Sequence, residues 1–343
     1  MSARARTALV VAVLAAVAGV VVVGVAALTV EETEAPASAV ATATPRKGFP
    51  PLQLSLGIRD DAEAADLRRA AALYEQGKRR QAGAVFARHD SLEAKLGSAF
   101  AAWPASQDRI EQLGALYPRS SLVQLHVGLS RFWAGLAGAE TAWREARDVE
   151  PDTPYAVRAG DLLHPEFAPG LPGFIVSFEY RIEGETPADQ LQRLAADRTL
   201  RGRLLYGIAL QGLGRPVSAR RAFAEARELA PNNVDALVAD AVGRYDKGNP
   251  SASFSRLGPL SRRFPHAATV RFHLGVLLLW QKNVKEAIRQ LELARTAEPG
   301  GKIAAEAKRY LDAVRNARTS NPCCSTVLMV PPALTSAPPP IAL

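Results

Sequence analysis

The chain is poor in the residues that build reactive or cross-linked sites. Only two cysteines occur in 343 residues, and they are adjacent, Cys323 and Cys324, in a carboxy-terminal stretch rich in Pro, Ser and Thr. That excludes a disulfide framework; a vicinal or interchain bridge is the alternative to two plain thiols, and the plain thiols are the simpler reading. Five histidines are scattered, and His266 and His273 lack a cysteine or carboxylate at ligand spacing, so no metal and no cofactor is expected. His164 and Glu166 lie close in sequence but lack a nucleophile or third group, so no catalytic residues are assigned. Charge of one sign is not dominant: 42 Lys and Arg against 34 Asp and Glu give +8. Basic runs such as Lys78-Arg79-Arg80 and Arg220-Arg221 read as solvated helix faces, which makes nucleic acid a minority reading. The arginine- and alanine-rich composition is of the kind associated with bacterial chains.

One long hydrophobic run is present. Residues 7–30 carry no charge and are mostly Val, Ala and Leu, enough to cross a hydrocarbon core, which needs about 20 residues. Arg4 and Arg6 precede it and Glu31, Glu32 and Glu34 follow it, so residues 1–6 are expected in the cytoplasm and the rest outside. A cleaved signal peptide is the competing reading, but its apolar region runs only about 7–15 residues, so a single-pass anchor in the cell membrane is favoured. Residues 31–59 are then a flexible linker, and 319–343, again rich in Pro, a disordered tail.

The rest of the chain is periodic. Stretches beginning at Leu200, Val234 and Ala268 follow one another every 34 residues. Gly207, Leu210, Gly214, Ala219, Phe223, Ala226 and Pro231 in the first correspond to Gly275, Leu278, Lys282, Ala287, Leu291, Ala294 and Pro299 in the third, with the second keeping every interval. Leu204, Leu205 and Ile208 suit one helix, Ala219, Ala222, Phe223 and Ala226 another, and Gly214 with Pro216 breaks the chain between them. Each unit is a helical hairpin with an apolar face that only a neighbour can cover, so the units must stack.

These residues resemble the tetratricopeptide repeat (TPR) family, which pairs a Leu-Gly first helix with an Ala-Phe-Ala second helix and a closing Pro. Upstream, Leu73, Gly77, Ala82 and Phe86 keep the intervals. A slipped unit has Val127-Gly128 and Trp143 at the bulky interlocking position, and a shortened one turns at Trp103-Pro104. The resemblance implies an all-α, right-handed superhelical solenoid of about seven hairpins over 60–301, with a solvating cap at 302–318. One unit is overlong: 164–186 inserts His164-Pro165-Glu166-Phe167 and a Pro- and Gly-rich run to Phe174. It is expected to project as a loop, with Phe167, Leu171 and Phe174 available to a partner or to the scaffold.

In this family the first helices line a concave groove. The resemblance therefore implies a partner-facing set of Tyr74, Phe132, Arg201, Gln211, Asp235, Tyr245, Phe272 and Leu279. The family's carboxylate clamp of Lys and Asn is replaced here by Leu204, Ile208, Val238, Val242, Phe272 and Val276, which favours an amphipathic helix or apolar extended peptide over a chaperone tail. The expected function is a non-enzymatic, membrane-anchored scaffold that binds a protein or peptide on the extracytoplasmic side, in cell-envelope assembly. The alternatives are an RNA-binding helical-repeat protein and an accessory factor for c-type cytochrome maturation. Oligomeric state is not legible.

Overall fold

A computed structural model describes residues 44–178 and 186–320, with side chains to residue 316. The expected anchor at 7–30, the first part of the linker (31–43), residues 179–185 of the insertion, and Cys323 and Cys324 lie outside the described residues. Among the described residues, all regular structure is helical, and no helix is long and apolar enough to cross a membrane.

Six helical hairpins form as the period predicts: α1 Ala62–Glu75 with α2 Arg79–Phe86, α3 Leu92–Ala101 with α4 Gln107–Leu116, and α5 Ser121–Ala134 with α6 Ala139–Val149 precede the insertion. After α7 Pro154–Leu163 and α8 Pro187–Ala196 come α9 Leu200–Gly212 with α10 Pro216–Leu229, α11 Val234–Val242 with α12 Ser251–Arg263, and α13 Ala268–Trp280 with α14 Val284–Ala297; α15 Lys302–Ser320 closes the array. Four of the six first helices start where a short polar side chain takes an orphan backbone N–H: Asp61, Ser91, Thr199 and Asn233 each accept from the residue three positions on. Prolines 154, 187 and 216 open helices because the missing N–H costs nothing in the first turn.

The hairpins interlock through glycine. A Cβ at Gly207 would lie 2.2 Å from the Phe223 ring, and one at Gly128 would lie 2.3 Å from Trp143 Nε1. In these hairpins the small residue of the first helix is therefore the socket for the bulky residue of the second, as the pattern implies.

The solenoid is interrupted at its fourth unit. Helices α7 and α8 do not pack against one another: α7 lies on α5 and α6, α8 on α9. Among the described residues, six hairpins and one opened unit thus stand where about seven hairpins are expected. Two separate hydrophobic cores result, one drawing on residues from Leu52 to Ala159, the other on residues from Ala168 to Val314. The physical reason is the insertion, whose residues 168–178 do not project into solvent but run across the first helices of the second half.

Candidate functional site: an inner groove holding two straps

Two non-helical stretches of the chain line the inner surface, one in each half. The first, residues 46–57, falls in the segment expected to be linker, yet it is fastened to the helices. Arg46 N donates to Trp133 O at 2.8 Å, Tyr74 Oη donates to Pro50 O at 2.6 Å, and Gln53 N donates to His126 Nε2 at 3.1 Å. Ser55 exchanges two bonds with Tyr155 Oη, each 3.1 Å. Leu52 and Leu56 enter the first core, Phe49 packs edge-on to Tyr74 at 5.0 Å, and the Arg46 guanidinium lies 4.0 Å over Phe132.

The second strap is residues 168–178 of the insertion. Its start is held by a buried ion pair: Lys247 Nζ lies 2.5 Å from Asp161 Oδ1 and donates to Ala168 O at 2.6 Å, while Gly170 N donates to Asp161 Oδ1 at 2.9 Å. Phe174 N then donates to Gln211 Oε1 at 2.9 Å, Ile175 N to His273 Nε2 at 3.1 Å, and Ser177 Oγ to Asp235 Oδ2 at 2.6 Å. Phe174 is wholly buried, stacked on His273 at 5.0 Å and edge-on to Phe223 at 5.4 Å; Arg201 lies 4.7 Å over Phe178.

Both straps are read by a histidine. His126 and His273 each place Nδ1 2.7 Å from a backbone oxygen, Leu122 O and Thr269 O. A carbonyl only accepts, so Nδ1 carries the proton and Nε2 presents a lone pair to the strap N–H. Burial pushes both histidines down to about 4, and the hydrogen bonds to Leu122 and Thr269 offset this only in part. The rings are therefore neutral near pH 7, as the bonding requires.

The residues expected to face a partner thus divide. Gln211, Asp235 and Arg201 do reach the inner surface, where they hold the chain's own second strap; Tyr74 and Phe132 engage the first. Phe272 and Leu279 are core residues, Phe272 edge-on to Tyr310 at 5.4 Å. Phe167 sits beside His164 at 6.2 Å, itself 3.2 Å from Glu166 Oε1. Tyr245 and Leu171 border open space. Between the end of the first strap and the start of the second lies a cleft of about 480 Å³, lined by Leu54–Gly57, Val157, Gly170–Gly173, Gln211–Gly214, Val242 and Tyr245 among others. A second cavity of about 360 Å³ shares Val157, Leu171 and Tyr245 with it and is rimmed by Arg147, Arg220 and Arg244.

Sequence reasoning missed the first strap and both histidines. A signal existed: Phe49-Pro50, Leu52, Leu54, Ser55 and Leu56 repeat at one spacing as Leu171-Pro172, Phe174, Val176, Ser177 and Phe178.

The arrangement defines an all-α helical-repeat protein of tetratricopeptide-like hairpins, divided into halves that each carry a strap on the inner face. No family model and no curated protein matches the chain. Among solved structures, the crystal structure of yeast Tom70 is similar over 73% of this chain and 48% of that one, at 14% identity and a TM-score of 0.28. The chain spans about half the length of Tom70, and a likeness of this depth says nothing about activity or partners.

Proposed function

We propose that the chain is a non-enzymatic scaffold of the TPR kind, held to a membrane by residues 7–30 with its repeats on the extracytoplasmic side, where it recruits a protein or peptide during cell-envelope assembly. The observation that carries this reading is that the inner surface already binds two stretches of polypeptide through their main-chain N–H groups and alternate side chains, a mode that a partner segment can also use. The uncharged cleft between the straps favours a peptide over a phosphate-bearing chain, since nucleic acid is held chiefly by cationic contacts to phosphate. Accessory work in c-type cytochrome maturation is a narrower form of the same scaffold role.

The test is photo-crosslinking in the native cells, with the photoreactive group at Leu213 on the groove and, as control, at Arg289 on an outer helix. One dominant adduct specific to Leu213 is expected. Adducts that are identical from both positions would sink the groove as the recruiting surface. A reporter fused after residue 320 that is active only in the cytoplasm would overturn the orientation, and RNA binding that weakens steeply with salt would favour the nucleic-acid alternative.

A further inference from the structure

We propose that the cleft between the two straps binds a third stretch of polypeptide, supplied by a partner: an extended, uncharged segment of the strap kind, with a proline followed at alternate positions by aliphatic or aromatic side chains. This rests on the scaffold reading above and specifies the chemistry of the partner.

The protein shows its own recognition rule twice. In each strap a proline is followed two residues later by a buried apolar side chain, Leu52 or Phe174. The N–H of the next residue, Gln53 or Ile175, meets a groove histidine. The N–H two further on, Ser55 or Ser177, meets a groove oxygen, Tyr155 Oη at 3.1 Å or Asp235 Oδ2 at 3.3 Å. Alternate N–H groups and alternate side chains turned to the same surface are the two-residue period of an extended chain. The groove therefore selects extended polypeptide, and it does so without a charged residue in either strap between the proline and the serine.

The cleft is where this surface continues without strap. The first strap ends at one side of it, with Leu54 to Gly57, and the second begins at the other, with Gly170 to Gly173. No Asp, Glu, Lys or Arg lines it, so a charged side chain entering would lose hydration with no counter-ion in the cleft's own lining. Val157, Leu213 and Val242 offer apolar contact, and Gly212, where a Cβ would meet nothing within 4 Å, leaves the wall open to a peptide main chain. The volume lies in the range of sites that enclose a ligand. The straps cannot vacate the rest of the groove for a partner, because Phe174, Val176 and Leu52 are core residues.

Gly212 gives a clean probe. It lies in the last turn of α9 and lines the cleft, and a Cβ there would meet nothing within 4 Å. Gly212→Trp therefore fills the cleft while leaving the core alone, and Gly212→Ala serves as the conservative control. The full chain is titrated, by fluorescence anisotropy, into a labelled synthetic peptide with the sequence of residues 49–57. Saturable binding is expected, kept by Gly212→Ala, weakened about tenfold or more by Gly212→Trp at a melting temperature no lower than the parent's, and weakened likewise when the two central leucines of the peptide become aspartate. The proposal is overturned if the peptide does not saturate, if Gly212→Trp binds it as the parent does, or if the aspartate peptide binds equally. If the peptide fails while the Leu213 adduct still forms in cells, the strap-like chemistry falls and the scaffold stands; loss of both removes the scaffold as well.

Discussion

His126 and His273 are the same residue in two settings: each is sixth in its helix, donates from Nδ1 to the carbonyl four residues back at 2.7 Å, and accepts a strap N–H at Nε2 at 3.1 Å. Each fastens an irregular stretch of chain to a regular one. Replacing either ring by Phe keeps the bulk and leaves a strap N–H without an acceptor. His126→Phe and His273→Phe are each expected to cost about 1–3 kcal/mol in urea unfolding. The discriminating measurement is amide hydrogen exchange, in which Gln53 accelerates in the first variant and Ile175 in the second. Unchanged exchange at those two amides would show that the histidines are only packing residues.

The same bonds set a pH dependence. Both histidines lie near 4 in the folded chain against an ordinary 6.5, through burial. The unfolded chain therefore binds more protons between these values, and stability falls as pH drops. Their contribution is complete above about pH 6.5 and lost progressively toward pH 4, at roughly 3 kcal/mol per histidine at the lower limit. Unfolding midpoints measured from pH 7.5 to 4 in the parent and in the double His-to-Phe variant test this. The parent curve should fall more steeply, and parallel curves would mean that other groups govern the acid limb.

Much of the scaffold was legible because a TPR-like hairpin is a local object: Gly207 and Phe223, or Gly214 and Pro216, act within one 34-residue unit. The straps were not, because their partners are remote. Gln53 meets His126 across 73 positions and Ile175 meets His273 across 98. A Pro-rich stretch with short apolar runs reads as linker until those acceptors are in place. The inner face was legible at Gln211 and Asp235, which both point to the groove, but not at Phe272 and Leu279. A three-four spacing names one face of a helix, and that face is shared between the groove and the neighbouring helix.

The ion pair of Lys247 with Asp161 ties the start of the second strap to α7, and both side chains are almost fully buried. Burial pushes the Lys247 ammonium down, and the nearby Asp161 carboxylate opposes this. Lys247→Met would leave a buried carboxylate supported by Gly170 N and by Arg158 at 3.5 Å. The single change is expected to cost about 3–5 kcal/mol, and Lys247→Met with Asp161→Asn less than the sum of the two alone. A double-mutant cycle in urea measures the coupling. Additive effects would mean that the pair does not act as a unit.

Two glycines of α9 should respond to the same substitution with opposite sign. Gly207 faces the Phe223 ring, where a Cβ would come within 2.2 Å, and Phe223 is itself wholly buried, so it has no space to withdraw. Gly207→Ala therefore forces α9 away from α10 and is expected to destabilise by about 1–3 kcal/mol. Gly212, five residues on, meets nothing, and there alanine reduces the freedom of the unfolded chain and favours the helix. Gly212→Ala is expected to stabilise by about 0.5–1 kcal/mol. Thermal melts of the two variants decide it: a neutral Gly207→Ala would show that the hairpins can separate at no cost, and a destabilising Gly212→Ala would show that the cleft wall is closed rather than open.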